Sequence, residues 1–358
     1  VYGALQTVTI ITDLFFDHVD EVLGLVGKGR RINDKLIEKG IEIKAGKVHL
    51  TASKQDVRLK PQVLVRVFLA MSRTGLGLHH RSRKLVASYV ELITNKERTS
   101  PRLAKTFFTL MIEAKDILTV LSTMLETGLL AAIVPEYSRI TRLAQHDLYH
   151  IYTVERHSLQ AVSELHELVG SLASITQNVT EIKVLYLAAL LHDIGKGSGR
   201  DHSIEGAEVS KAIGKRFGLS EKECESLSFI VRYHLFIPEN ALRRDLNDAI
   251  FIKRCAETIG DLNCLAMLYL LSVADSKATG PSAWSDWKAT LMEDLYLKVY
   301  PHLDHKSGGV KDVGAHEEQG VEWLREQIRI QLEGHKDLKI DYEELSADYV
   351  LTFSPEVI

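Results

Sequence analysis

This 358-residue chain has almost no cysteine, and the little it has is unpatterned. Cys224, Cys255 and Cys264 show no CxxC spacing, and their odd number argues against a disulfide framework and for a reducing cytoplasm. Long apolar runs are also missing. Residues 184–191 and 128–134 fall well short of the ~18 that a membrane span needs, and no basic-apolar-small leader opens the chain. Nor is there an excess of one charge: 44 Lys and Arg face 48 Asp and Glu, a net of −4 with the signs interspersed. That removes the bulk electrostatic case for DNA, other nucleic acid or an anionic membrane. No Gly/Ser linker or low-complexity tract divides the sequence. It begins with Val1 and not Met, which points to a fragment whose neighbouring domains are missing.

What is present reads mainly as α-helix, with length enough for two or three domains. Residues 1–40 place Leu14, Phe15, Val19, Val22 and Leu23 near helical spacing. Between Ile41 and Leu50 the apolar residues alternate about Gly46, which predicts one small hairpin and no other sheet. The helical period returns from Pro61, with Val63, Leu64, Val67, Phe68 and Met71 on one face. Amphipathic segments follow over 83–94, 101–113 and 116–127. The second opens with Ser100 as N-cap and Pro101 at the first helical position, and the third ends at Gly128. These helices are expected to pack as a collar against the rest. Near the far end a helix is predicted over 317–332, then an extended lead-out from Tyr349.

The stretch that organises the chain is 190–197, LLHDIGKG. An apolar run delivers the adjacent pair His192-Asp193 and stops at Gly195 and Gly197, residues that end a helix readily and let a ligand approach the backbone. An imidazole nitrogen beside a carboxylate suits a divalent transition metal better than calcium. A bare His-Asp pair is weak by itself, and His146-Asp147 is a second one. The first is distinguished by its company. His157 lies upstream, ahead of a helix-compatible stretch over 158–169. His202 falls in a polar, glycine-bounded loop leading into a helix over 207–217; it is either a solvated helix-start residue or a ligand extending the site to a second metal. His234 follows the apolar 227–233 and is either a buried structural histidine or a ligand. Asp275 ends the almost wholly apolar run 265–274, which must be a buried helix. A carboxylate there costs several kcal/mol unless paired or metal-bound.

Other residues carry weaker readings. His146 and Asp147 are ligands or hydrogen-bonded structural groups, and His150 is a substrate-facing candidate. Arg243 and Arg244 are an exposed charge run or a phosphate contact, since guanidinium binds phosphate bidentately. Trp284 and Trp287 are expected to close a wall of the pocket.

The ordered set His157, His192-Asp193 and Asp275, with His202 and His234 between, resembles the HD-domain metal-dependent phosphohydrolases. Within them, YTVERHSLQAV (152–162), LLHDIGKGSGRDHSIEGA (190–207), VRYHLFIPENALRRD (231–245) and the long 270–296 stretch are similar to the central module of the bifunctional protein-PII uridylyltransferase/uridylyl-removing enzymes. The resemblance implies an N-terminal helical module with a hairpin (1–130), an HD helical bundle (131–303), and a C-terminal helix and lead-out (304–358). It implies hydrolysis of the phosphodiester between UMP and a tyrosine of a PII signal protein. His157, His192, Asp193 and Asp275 would hold one divalent ion, and His202 with His234 a second, Asp193 bridging. Mn or Mg is favoured, with Fe or Zn admitted by the donor set. Lys196 would assist electrostatically beside Asp193, and Arg243, Arg244 and Lys277 would contact phosphate. No Gly-Ser…Asp-x-Asp nucleotidyltransferase motif occurs, and no ACT domain follows. Lys277 stands where the family usually has arginine, and Arg156 where it has an acidic residue. Two other readings remain at this point: an HD hydrolase of a small or cyclic nucleotide, and a non-catalytic HD sensory or scaffold module.

Overall fold

The structure, a computed structural model, describes residues 34–304 apart from 142, 144–152, 281 and 282, together with a few positions between 8 and 23. The expectations for most of 1–33, for His146, Asp147 and His150, and for everything after Asp304 lie outside the described residues.

The described chain is mainly α-helical with one small sheet. Three antiparallel strands run in sequence order, β1 (Lys35–Glu38), β2 (Ile41–Lys44) and β3 (Lys47–Leu50). The predicted hairpin is β2–β3. Ile41 pairs with Leu50 and Ile43 with Val48, and all four are buried. Its two-residue turn places Ala45 and Gly46 at positive φ, the backbone twist that suits a tight hairpin. The third strand, β1, corrects the reading of 1–40 as helical. Its side chains face water, with Leu36 66% exposed, so it leaves no alternating pattern to read.

By its internal contacts the chain divides into two compact units. The first comprises Val1–Leu168, Glu181–Tyr233 and Ala274–Gly280. After the sheet come α1 (Lys54–Leu59), α2 (Val63–Thr74), α3 (His80–Tyr89), α4 (Pro101–Ile112), α5 (Ile117–Glu126) and α6 (Leu129–Ile133). Helix α2 lies against β3, α4 and α5 through Val63, Leu64, Val67, Phe68 and Met71, the face read from the sequence. Ser100 does take the N-cap place of α4, but its hydroxyl accepts a hydrogen bond from Gln62 Nε2 (3.0 Å) and caps nothing. Then follow α7 (Val154–Ser171), α8 (Ile182–Leu191), α9 (His202–Arg216) and α10 (Glu221–Arg232).

Helix α8 is the axis of this unit. Every residue from 184 to 191 is buried, and α8 packs on α4, α9 and α10. Its large aliphatic side chains contribute roughly 1.5–3 kcal/mol each by leaving water. Phe217, just past α9, meets Phe107 and Phe108 of α4 edge-on at 5.6 and 5.8 Å between ring centroids. Arg216 clasps Glu136 with two hydrogen bonds of 2.6 and 2.8 Å. Both contacts join the N-terminal helices to the helices that carry the His-Asp motif.

The second unit comprises Val169–Thr180, His234–Val273 and Pro281–Ile358. In it α11 (Phe236–Arg243) and α12 (Ala249–Ile259) pack on α14 (Asp286–Leu303). Helix α13 (Leu262–Thr279) starts here and ends in the first unit. No single helix among the described residues is long and apolar enough to cross a membrane.

Candidate metal centre

From Val184 on, helix α8 is buried on every side, and its C-terminus lies inside the first unit. His192 caps it and Asp193 comes next, both buried. His192 Nδ1 stands 2.9 Å from the Ala189 carbonyl, which can only accept, so Nδ1 carries a proton and Nε2 is the nitrogen turned toward the other site residues. His157 comes from the first turn of α7, inside the helix and not ahead of it. Asp275 comes from α13, which runs one turn beyond the carboxylate where the sequence ended it.

These side chains converge. His157 Nε2 lies 3.2 Å from His192 Nε2, 2.8 Å from Asp275 Oδ1 and 3.7 Å from Asp193 Oδ2. His192 Nε2 lies 3.4 Å from Asp193 Oδ2 and 3.6 Å from Asp275 Oδ1. Asp275 is the most open of the four, with 15% of its side chain exposed.

The charges reinforce one another. Burial alone would lower the affinity of His192 for a proton, but Asp193 and Asp275 reverse that and raise its pKa to about 9. Burial opposes the charge on Asp193 too, yet His192 and the Lys196 ammonium hold its carboxyl well below the usual range. Asp275 is likewise lowered against its burial, by His192 and then His157. Two carboxylates and two imidazoles gathered this closely could hold a cation. The donor spacing fits one: about 3.0 Å separates ligands at a right angle, and about 3.4 Å at the tetrahedral angle, when each bond is ~2.1 Å. A mixed nitrogen and oxygen set of this kind suits Zn, Fe or Mn.

Lys196 Nζ sits 2.7 Å from the same Asp193 oxygen, Oδ2, and His202 Nε2 sits 4.0 Å from the other, Oδ1. His202 is not in a loop: it is the first residue of α9, which starts five residues earlier than the sequence suggested because Asp201 caps it, accepting from the Ser203 and Ile204 amides. His234 heads the second unit, buried, with its carbonyl accepting from Ser272 Oγ. Lys277 is half-buried on the last turn of α13. Arg243 and Arg244 end α11, exposed, and Arg244 borders a surface hollow of about 350 Å³ with Asp245, Asp248 and Arg254. Trp287 is 64% exposed on α14.

Some supporting residues had no sequence signal. Arg156, next to His157, donates to Glu126 Oε1 (3.1 Å), whose other oxygen lies 3.7 Å from Arg83. Tyr137 buries its hydroxyl against the Glu155 carbonyl (3.1 Å) behind the site. In each pair the partners, 18 and 30 residues apart, lie on different elements, so neither pair could be read from a local pattern.

Comparison with known proteins bears on the same residues. A family model described as "HD domain" matches residues 148–267, which includes the His192-Asp193 pair and stops short of Asp275. Over those residues the chain carries an HD domain. Three relatives, each named bifunctional uridylyltransferase/uridylyl-removing enzyme, are similar to it. One from Ruegeria pomeroyi is 36% identical over 249 residues, 67% of this chain and 27% of the relative. One from Azospirillum brasilense is 33% identical over 252 residues, 68% and 27%. One from Methylococcus capsulatus is 30% identical over 312 residues, 83% and 35%. The HD chain thus spans about a quarter to a third of the length of the relatives it matches. A solved structure described as the complex of CCA-adding enzyme with ATP aligns with 82% of this chain and 65% of that one, at 12% identity and a TM-score of 0.47, too slight a likeness to carry an argument.

Proposed function

We propose that this HD centre hydrolyses a phosphodiester, and that its substrate is UMP joined to a tyrosine of a PII-type signal protein. The observation that carries the hydrolytic reading is the convergence of two imidazole nitrogens and two carboxylates on one buried point, with an ammonium beside it. The substrate reading is supported by the names of the relatives and by the similarity of the motif stretches.

His157, His192, Asp193 and Asp275 would hold one divalent ion, with Mn the one that both the donor set and the sequence reading admit. Asp193 with His202 and, as the sequence pattern assigns, His234 would hold another. When bound, such an ion acidifies water toward neutral pH and takes up charge on phosphoryl oxygens. The protein's own part is positional. His192 is held in the right tautomer by Ala189, and His157 is fixed by its place in the first turn of α7. Burial strengthens every charge interaction inside. Lys196 is placed to neutralise a phosphoryl oxygen as charge builds there, once its hold on Asp193 is shared. In the reaction a water oxygen bonds to phosphorus, the bond from phosphorus to the tyrosyl oxygen breaks, and that oxygen leaves with a proton as tyrosine. Lys277 is proposed to meet the phosphate.

The test is direct. Manganese-loaded chain is mixed with uridylylated PII protein and released UMP is measured, beside hydrolysis of bis(p-nitrophenyl) phosphate. UMP release is the expected result. Turnover of the small diester without UMP release overturns the substrate; no turnover of either by metal-loaded protein overturns the hydrolase reading.

A further inference from the structure

Gly195 lies two residues past Asp193, where the chain leaves α8 and passes the first turn of α9. A Cβ at this position would stand 2.2 Å from the His202 carbonyl oxygen and 2.6 Å from the Gly206 amide nitrogen. Both are backbone atoms, so no rotamer change relieves the clash. Gly206 is the matching half of the contact: a Cβ there would meet Gly195 N at 3.5 Å, His192 O at 3.6 Å and Val231 Cγ1 at 3.2 Å. Two glycines therefore let α9 lie directly against the backbone of the His-Asp motif. The residue delivered by that approach is His202, whose Nε2 is 4.0 Å from Asp193 Oδ1. The other donors arrive on α7, α8 and α13, and the closest atoms that a Gly195 Cβ would strike all belong to α9.

We propose that Gly195 is a positioning residue for the second ion alone, an inference that rests on the two-ion reading above. Its missing Cβ lets α9 bring His202 to Asp193. The site is thus built in two halves that one methyl group separates. Restoring a carbon–oxygen contact of ~3.3 Å from 2.2 Å requires α9 to retreat by about 1 Å. A displacement of that size is enough to cost ~100-fold where geometry must be exact to function.

The experiment is calorimetric titration of Mn²⁺ into the chelator-stripped chain, with far-UV circular dichroism and melting to verify the fold. Wild type is expected to bind two ions. Gly195→Ala is expected to keep the first with affinity within about threefold, and to weaken the second by ~10–100-fold, the range seen when a ligand's support is removed. His202→Ala should give the same pattern, and the double variant should lose nothing further. Gly206→Ala, whose neighbours need yield only a few tenths of an ångström, should weaken the second ion more mildly; it decides the matter if Gly195→Ala does not fold. A folded Gly195→Ala with two ions bound as in wild type overturns the proposal. So does parallel loss of both ions when His202→Ala loses only one. A wild type that binds one ion, unchanged by His202→Ala, overturns instead the two-ion reading.

Discussion

Replacing Asp275 with asparagine tests the centre at its least ambiguous donor. Its Oδ1 stands 2.8 Å from His157 Nε2 and 3.6 Å from His192 Nε2, on a helix whose preceding ten residues, 265–274, are all buried. The carboxamide keeps the size and shape of the side chain, so packing is retained, but the charge that draws a cation is gone. Groups that merely orient a ligand cost 10–100-fold in metal affinity when removed. A charged donor in direct contact should cost at least the upper end of that range, about 100-fold or ~2.7 kcal/mol. The assay is competition between the chelator-stripped protein and a metal-indicator dye for Mn²⁺ at neutral pH, with wild type and Asp275→Asn compared at matched helicity. Weakening of the tighter ion by less than tenfold in a folded variant would refute the reasoning. The Asp275 carboxylate would then serve only as the hydrogen-bond partner of His157.

Two further outcomes are expected from other contacts. Lys196→Met removes the ammonium 2.7 Å from Asp193 Oδ2 without touching the imidazoles; turnover of bis(p-nitrophenyl) phosphate should fall ~10–100-fold in kcat while Mn²⁺ affinity changes little, and unchanged kcat would remove Lys196 from the mechanism. Glu136 is pushed up by burial but pulled lower still by its two hydrogen bonds from Arg216, so its folded pKa is below the ordinary 4.5. A carboxyl depressed on folding stabilises above its unfolded pKa and loses that contribution as pH falls through the folded value. Glu136→Gln should therefore cost about 1–3 kcal/mol at neutral pH, and urea unfolding should show the gap to wild type narrowing as pH drops below 4.5. A gap constant with pH would assign the effect to packing instead.

Much of this was legible from local pattern. The helical period marked α2, α4 and α5, and the alternation from Ile41 to Leu50 marked the β2–β3 hairpin, because each signal needs only a face buried at a fixed interval. The run 184–191 announced a helix with no polar side, and such a helix can only carry its next two residues, His192 and Asp193, into the interior. Asp275 stood out for the same reason: a carboxylate after ten residues of which only Ser272 is polar needs a partner. The sequence could name these residues by type and place, yet not their spacing in the fold. Strand β1 escaped because its side chains face solvent and only its backbone pairs. The ion pairs of Arg156 with Glu126 and Arg216 with Glu136 join residues 30 and 80 positions apart, intervals that no periodicity encodes. Gly195 could be read as a helix stop, but only the packed structure decided that another helix, and not a ligand, fills the space where its Cβ would be. Hydrophobic pattern is written along the chain; the close approach of α7, α8, α9 and α13 to one point is a product of packing, and the chemistry of the centre resides in those few ångströms.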